Sequence, residues 1–358
     1  MANINEYIKW RGDIPLNEKF PFNEIDSMIL ARFSYLIFNR IEMNEQETVK
    51  NISEKMKNFQ NEEFLYNGDK ELITNMGKSI RYQEMTVTDY IENNIKESEG
   101  QFSAITIHTG EEEMYISYIG TNASIYGWKE DFNMAFMDNV PCQIEGKDYL
   151  EKIAGKYQNK KIRIGGHSKG GNVAIYAAIT ADSQIQERII KVYNYDGPGF
   201  NKQIIEKYGK KSIIDKIETY FPQDSIIGRI LNHEEKCSIV QSTQKGILQH
   251  DIYSWQVLGT EPVYAMQLTD ASENINMTIT NWLENTTNEQ RKIFFDSIFE
   301  LFYSTEANTF GEITQNLTKN LSVILKRYGQ ISPEDKKTIT EMIKTFIKYA
   351  IKIKLGRM

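Results

Sequence analysis

The chain is poor in features that would settle its class at once. It has two cysteines, Cys142 and Cys237, in 358 residues. That is too few for a disulfide framework and suits a reducing cytoplasm. No apolar run is long enough to span a bilayer. The opening residues, Met1-Ala2-Asn3-Ile4-Asn5-Glu6, lack the basic stretch and apolar core of a secretory signal. The expected location is therefore the cytoplasm, where N-x-[ST] triplets such as Asn276-Met277-Thr278 are accidental. Positive charge is not in excess: the net charge is -7, which argues against a general nucleic-acid binder. No internal repeat, low-complexity linker, H-E-x-x-H pattern, histidine pair or Walker-type loop occurs, so neither a metal nor a cofactor is expected. Only four histidines are available for catalysis: His108, His167, His233 and His250.

What the chain does have is Gly166-His167-Ser168-Lys169-Gly170, followed by Gly171. This is a G-x-S-x-G motif. Lys161-Ile162-Arg163-Ile164-Gly165 before it reads as a short buried strand. Gly170-Gly171-Asn172-Val173-Ala174-Ile175 after it reads as a helix start rich in small residues. Strand, sharp turn and helix form the setting of a nucleophile elbow. Glycines let the two backbones approach closely. The helix N-terminus offers unpaired N–H groups and a positive dipole end to a developing oxyanion. The plainer alternative makes Ser168 a helix cap in some other α/β protein.

Around this motif strands alternate with helices. Residues 102–107 and 114–119 alternate apolar and polar side chains about a charged turn and predict a hairpin. Further strands are expected at 161–166, 190–195, 214–220 and 236–241, with helices at 143–158, 170–182 and 201–210. A helix capped by Asp26 is expected to run toward Phe38, and residues 41–100 read as helices and loops. The pattern predicts an α/β fold with a mostly parallel central sheet. From about residue 270 the character changes. Thr287-Asn288-Glu289-Gln290 is a capping-box pattern. Ile313, Leu317, Leu321, Ile324 and Tyr328 form a second helical stripe. Ser332-Pro333-Glu334-Asp335 opens a long last helix. The expected division is a hydrolase-like domain over 1–265 and a helical appendage over 266–358.

A serine nucleophile needs a base, and the base needs an acid. His250, in a loop entering an apolar stretch, is preferred over His233, which sits in a polar run. His167 lies in the elbow itself, with its side chain expected to point away from Ser168. For the acid, Asp224 closes a predicted strand and precedes His250 in the required order. Asp196, in Tyr195-Asp196-Gly197-Pro198-Gly199, is the second choice. Two oxyanion donors are expected. One is the backbone N–H of Lys169. The other is Thr121, in Ile119-Gly120-Thr121, through its backbone N–H and hydroxyl.

The sequence resembles the fungal-type (class 3) lipases in Ile119-Gly120-Thr121, in Trp128-Lys129-Glu130-Asp131-Phe132 and in the elbow. It resembles them again in Tyr195-Asp196-Gly197-Pro198-Gly199, in Phe221-Pro222-Gln223-Asp224-Ser225 and around His250. It is more similar to a bacterial group of lipase-like proteins with a G-H-S-K-G-G elbow. The likeness covers roughly residues 100–260. It implies an α/β-hydrolase fold, a Ser168-Asp224-His250 triad, and Thr121 with Lys169 as oxyanion donors. Ile119 and Lys169 depart from the lipase pattern of arginine and an apolar residue. The expected activity is hydrolysis of small-molecule or lipid esters; the alternative is a binding protein that keeps the scaffold. For the last helix, residues 332–358, docking on the body with solvated lysines is the first reading. Peripheral contact with an anionic membrane is the second.

Overall fold

The computed structural model describes residues 2–95, 100–121, 124–134, 136–137, 139–309, 312–313 and 317–355. Eight strands form one sheet in chain order: β1 (Gln46–Thr48), β2 (Thr86–Ile95), β3 (Gly100–His108), β4 (Glu113–Tyr118), β5 (Lys161–His167), β6 (Ile189–Tyr195), β7 (Ile217–Pro222) and β8 (Lys236–Val240). Pairing is antiparallel from β1 to β4 and parallel from β4 to β8.

Four helices precede or interrupt the first strands: α1 (Ile4–Arg11), α2 (Glu24–Phe33), α3 (Val49–Met56) and α4 (Asp69–Lys78). Parallel neighbours require crossovers. Here α5 (Ile125–Asn133) and α6 (Pro141–Lys156) join β4 to β5, and α7 (Lys169–Thr180) and α8 (Ser183–Arg188) join β5 to β6. The short helices α9 (Lys202–Tyr208) and α10 (Lys211–Ile214) lead to β7. This is an α/β-hydrolase fold, with helices on both faces of a mostly parallel sheet.

The two faces follow from strand periodicity. Tyr115 joins the core under α1 to α4, together with Ile105, Ile107 and Tyr195. Its neighbours Met114 and Ile116 join the other core, with Ile162, Ile164 and the apolar side of α6 and α7. The hairpin and parallel strands fall close to their expected places. The strand expected at 214 starts at Ile217, because Lys211–Ile214 is a helical turn.

Two expectations fail. Residues 41–100 contain β1 and the whole of β2, not helices and loops alone. Thr86-Val87-Thr88-Asp89-Tyr90 is polar on one side, and its register shifts between Thr88 and Ile91. Asp89 sits there at φ 55, which breaks the alternation. Second, α2 starts at Glu24 with Asn23 as its cap: Asn23 Oδ1 accepts from the N–H groups of Ile25 and Asp26 at 2.9 and 3.1 Å. Asp26 instead turns inward, where its carboxylate accepts from Arg81 Nε at 2.7 Å and Tyr82 Oη at 2.5 Å.

A second buried pair ties the N-terminal helices to the far end of the domain. Arg32 donates through Nε and Nη2 to the two oxygens of Asp69, both at 2.8 Å. Its guanidinium lies 3.9 Å from the ring centre of Tyr66 and 4.6 Å from that of Tyr35. Tyr253 Oη donates to the same carboxylate at 2.8 Å.

The C-terminal part consists of α11 (Asp270–Glu284), α12 (Asn288–Tyr303), α13 (Leu317–Gln330) and α14 (Pro333–Lys354). The expected capping box at Thr287 is present: Gln290 N–H donates to Thr287 Oγ1 at 3.1 Å, and Thr287 N–H donates to Gln290 Oε1 at 2.9 Å. Ser332 caps α14 by accepting from Asp335 N–H at 3.0 Å. Trp282, Phe295, Phe299 and Met342 pack with Ile125 of α5, so these helices sit beside the hydrolase crossover. Among the described residues no helix is long and apolar enough to cross a membrane.

Replacing Arg32 by leucine would leave Asp69 charged and buried without its partner. The expected loss is about 3–5 kcal/mol of stability, read from urea unfolding. A loss near zero would mean that Asp69 is compensated from elsewhere.

Candidate active site

Ser168 stands between β5 and α7 with φ 57 and ψ -135. A left-handed φ on a serine is costly and persists only where the surroundings impose it. They do so by close backbone approach. A Cβ on Gly166 would lie 2.4 Å from the Gly170 carbonyl carbon, and one on Gly170 would lie 2.2 Å from the Tyr118 carbonyl oxygen. Ser168 N–H donates to Tyr195 O at 2.9 Å, which binds the elbow to the end of β6. Among the described residues Ser168 Oγ has no hydrogen-bond partner.

A histidine and an aspartate from two different loops meet here. His250 Nδ1 donates to Asp196 Oδ2 at 2.6 Å. Asp196 is 1% exposed and sits at φ 52 directly after β6. Its other oxygen accepts from Ser225 Oγ at 2.5 Å. The turn that carries it is fastened by the elbow helix: Asn172 Nδ2 donates to Pro198 O and Gly199 O, both at 3.0 Å. With Nδ1–H on the carboxylate, the lone pair of His250 lies on Nε2, which has no partner among the described residues.

The acid expected at position 224 is therefore not the partner of His250. Asp224 accepts from Gly246 N–H at 2.7 Å, Gln249 Nε2 at 3.0 Å and Thr269 Oγ1 at 2.6 Å. It anchors the loop that delivers His250 and does not touch the imidazole. The loop after β7 does reach the pair, but through Ser225, while both oxygens of Asp224 are taken up by Gly246, Gln249 and Thr269.

Two further groups hold the turn that ends at His250, and the sequence singled out neither for this. His167 Nε2 donates to His250 O at 2.7 Å, with the two rings 4.4 Å apart. Burial, with His250 nearby, holds the His167 pKa well below its usual value, so the ring is neutral. Trp255 Nε1 donates to Gln249 O at 2.7 Å. The other histidines lie elsewhere. His233 is engaged on both sides, by Glu235 Oε1 and Gly228 O, each at 2.7 Å. Glu235 and Cys237 beside it complete the described chain's one cluster of metal-ligand type. His108, at the end of β3, contacts Thr88 Oγ1 at 3.1 Å.

The two residues expected to serve an oxyanion stand on the Gly120-Thr121 loop and at the first turn of α7. Tyr35 Oη accepts from Gly120 N–H at 2.8 Å and donates to His167 O at 2.9 Å. One phenol thus stitches this loop to the elbow. A Cβ on Gly120 would come within 3.2 Å of Ser168 Cβ. The N–H groups of Thr121 and Lys169 have no partner among the described residues. The Thr121 hydroxyl does not serve as expected: it donates to Asp131 Oδ2 at 2.6 Å, which commits its only proton.

Behind these donors lies a buried charge cluster. The Lys169 ammonium donates to Glu130 Oε2 at 2.7 Å and to Gln101 O at 3.2 Å, and lies 3.9 Å from Asp131 Oδ1. Burial pulls its pKa down, but Glu130 and Asp131 outweigh this and raise it, so the group stays charged. Asp131 is pushed up to about 6 by burial, against the pull of Lys169 and of the Thr121 hydroxyl.

Asp131 also lines an apolar cavity of about 350 Å³ between α5 and the C-terminal helices, together with Phe132, Trp282, Phe294, Phe295, Met342 and Phe346. A larger cavity of about 530 Å³, bordered by Arg81 and His108, lies at the opposite end of the strands from Ser168.

Residues 76–300 match the Mbeg1-like family, more than half of the chain. The chain belongs to the Mbeg1-like family. The match holds Thr121, Ser168, Asp196 and His250, but not Tyr35, and runs past residue 265 into α12. No curated protein sequence matches this Mbeg1-like chain. Among solved structures it is similar to M37 lipase at 15% identity and a TM-score of 0.36, covering 57% of this chain and 69% of that one. It is similar to a mutant form of MDLA from Penicillium cyclopium at 12% identity and a TM-score of 0.39, covering 69% and 87%. It is similar to a fungal lipase at 13% identity and a TM-score of 0.41, again covering 69% and 87%.

The raised pKa of Asp131 has a measurable sign. The folded state binds a proton that the unfolded chain releases between 3.8 and about 6. This contribution to stability is therefore complete below 3.8 and is lost as the pH rises to 6. Asp131→Asn removes it. Going from pH 4 to pH 7, the Tm of the variant is expected to rise relative to that of the wild type. A relative fall would place the Asp131 pKa below its ordinary value.

Proposed function

We propose that the protein is a serine hydrolase of carboxylic esters. One combination carries the reading: a hydroxyl at a left-handed elbow with no partner among the described residues, and, bonded to His167 of the same elbow, a histidine whose Nδ1–H is held by buried Asp196. In the proposed reaction Ser168 Oγ attacks the ester carbonyl carbon and His250 Nε2 accepts its proton. Asp196 keeps the imidazole in the useful tautomer and stabilises the imidazolium. The carbonyl electron pair moves onto oxygen, where the N–H groups of Lys169 and Thr121 receive the charge. Collapse breaks the ester C–O bond, and the alcohol leaves with the proton from His250. Water then attacks the acyl-enzyme with His250 as base, releasing the carboxylate and restoring Ser168.

The remaining polar groups act as positioning residues. Asp224, His167 and Asn172 hold the two loops, and Glu130 with Asp131 fixes Lys169 and the Thr121 side chain. Lipid acyl esters are the finer form of this reading. The apolar cavity that Asp131 helps to line supports them, because Asp131 also accepts from the Thr121 hydroxyl.

A fluorophosphonate probe tests the reading, since only an activated serine is labelled. Labelling and ester hydrolysis are expected in the wild type and absent in Ser168→Ala. His250→Ala is expected to cost nearly as much, because these residues act as a unit. Asp196→Asn should lower turnover on the order of 10⁴-fold through the wrong tautomer. Asp224→Asn, which loosens only an anchor of the loop, should cost far less. The reverse order for the two aspartates would return the acid role to Asp224. No labelling of folded wild type would leave a binding scaffold.

A further inference from the structure

Helix α14 is apolar on two faces. Ile339, Met342, Tyr349 and Ile353 are buried, and α14 packs on α11 and α12. Ile343, Ile347, Ile351 and Leu355, four residues apart, are exposed at 46, 49, 54 and 55%. A helix that only docks on a protein body needs one apolar stripe. Lys344, Lys348 and Lys352 each follow one of the exposed isoleucines by one position, and all three are exposed. Side chains four apart stack along a helix, so an apolar row and a basic row run side by side. Helix α14 holds six lysines and three acids, Glu334, Asp335 and Glu341, in a chain of net charge -7. The charge of this helix runs against that of the molecule. The apolar row meets the cavity at its first member: Ile343 lines it, as does the neighbouring Phe346, and the two remain 46 and 40% exposed.

We infer that α14 seats the protein on an anionic lipid surface, and that a lipid hydrocarbon chain enters the cavity between α5, α11, α12 and α14. Isoleucines of the outer row enter the acyl boundary, while the lysines keep their ammonium groups at the level of the anionic headgroups. The charge pattern selects this occupant over a second copy of the chain. A two-fold contact through the same face would bring the lysine row against itself. Membrane contact does not depend on Ser168 being a nucleophile; only the use of the bound chain as substrate rests on the hydrolase reading.

The test uses the full chain carrying Ser168→Ala, so that no lipid is consumed. It is sedimented with phosphatidylcholine vesicles with and without phosphatidylglycerol. Binding is expected to the anionic vesicles, weaker on the order of tenfold or more without phosphatidylglycerol, and falling with added salt. The triple exchange of Lys344, Lys348 and Lys352 to glutamine, and the pair Ile347→Ser with Ile351→Ser, alter exposed positions only. Each is expected to abolish sedimentation while the circular dichroism spectrum is unchanged. Phosphatidylglycerol with brominated chains is expected to quench a fluorescence component that disappears in Trp282→Phe. The inference is overturned if the parent protein binds neither vesicle, or if both variants bind as it does. It is also overturned if the serine pair instead abolishes a dimer. Fluorophosphonate labelling of the chain with Ser168 intact is read separately. Labelling without vesicle binding refutes the membrane contact alone, and vesicle binding without labelling refutes the hydrolase alone.

Discussion

The backbone approach at the end of β5 governs this structure. A strand that turns into a helix across one residue needs that residue at positive φ and needs bare backbone on either side. Gly166 and Gly170 meet each other and the Tyr118 carbonyl at distances where any Cβ would collide. Gly171 is confined in the same way, with Asn194 Oδ1 2.0 Å from where its Cβ would stand. Everything at the site is referred to this point. The Gly120 loop is bound to it through Tyr35, the end of β6 through the Ser168 N–H, and the turn after Asp196 through Asn172. A shift of the elbow would move all three together.

The surrounding order is set by buried polar groups more than by apolar packing. Lys169 with Glu130, Arg32 with Asp69 and Arg81 with Asp26 are ion pairs of nearly complete burial. Burying charge costs solvation, and such pairs rarely add net stability over apolar side chains of the same shape. They impose geometry, because each charge must keep its partner. Glu130 illustrates this: it accepts from Lys169, from Gln101 N–H and from Cys142 N–H at once. One carboxylate therefore relates the elbow helix, the start of β3 and the start of α6. The chain of contacts continues through Asp131 to the Thr121 hydroxyl, so the Gly120-Thr121 loop and the residue after Ser168 share one electrostatic support.

Short-range patterns were legible in proportion to how locally they are enforced. The elbow, the hairpin, the parallel strands and the C-terminal caps all follow from neighbours within a few residues. β2 was not, because its outer side is polar and its register breaks at Asp89. The cap of α2 was misread by three residues for a related reason. Asn23 and Asp26 are both good capping residues, and both do take part in one reciprocal capping box. Which of them also turns inward depends on Arg81 and Tyr82, more than fifty residues away.

By itself the sequence determined the α/β alternation, the position of Ser168 at a turn, the scarcity of histidines and the amphipathic C-terminal helices. Each follows from composition and periodicity, which are properties of neighbouring residues. Only the tertiary structure decided which aspartate meets the His250 imidazole. Asp196 and Asp224 both follow a parallel strand and both precede His250, so chain order cannot separate them; the contacts do, with Asp196 on the ring and Asp224 on Gly246, Gln249 and Thr269. The same holds for His167, Tyr35 and Asn172, whose roles arise from contacts across many residues of chain. It holds as well for the Thr121 hydroxyl, which the sequence offered to the oxyanion and the fold gave to Asp131. A hydroxyl has one proton, and which acceptor stands nearest is a fact of three dimensions.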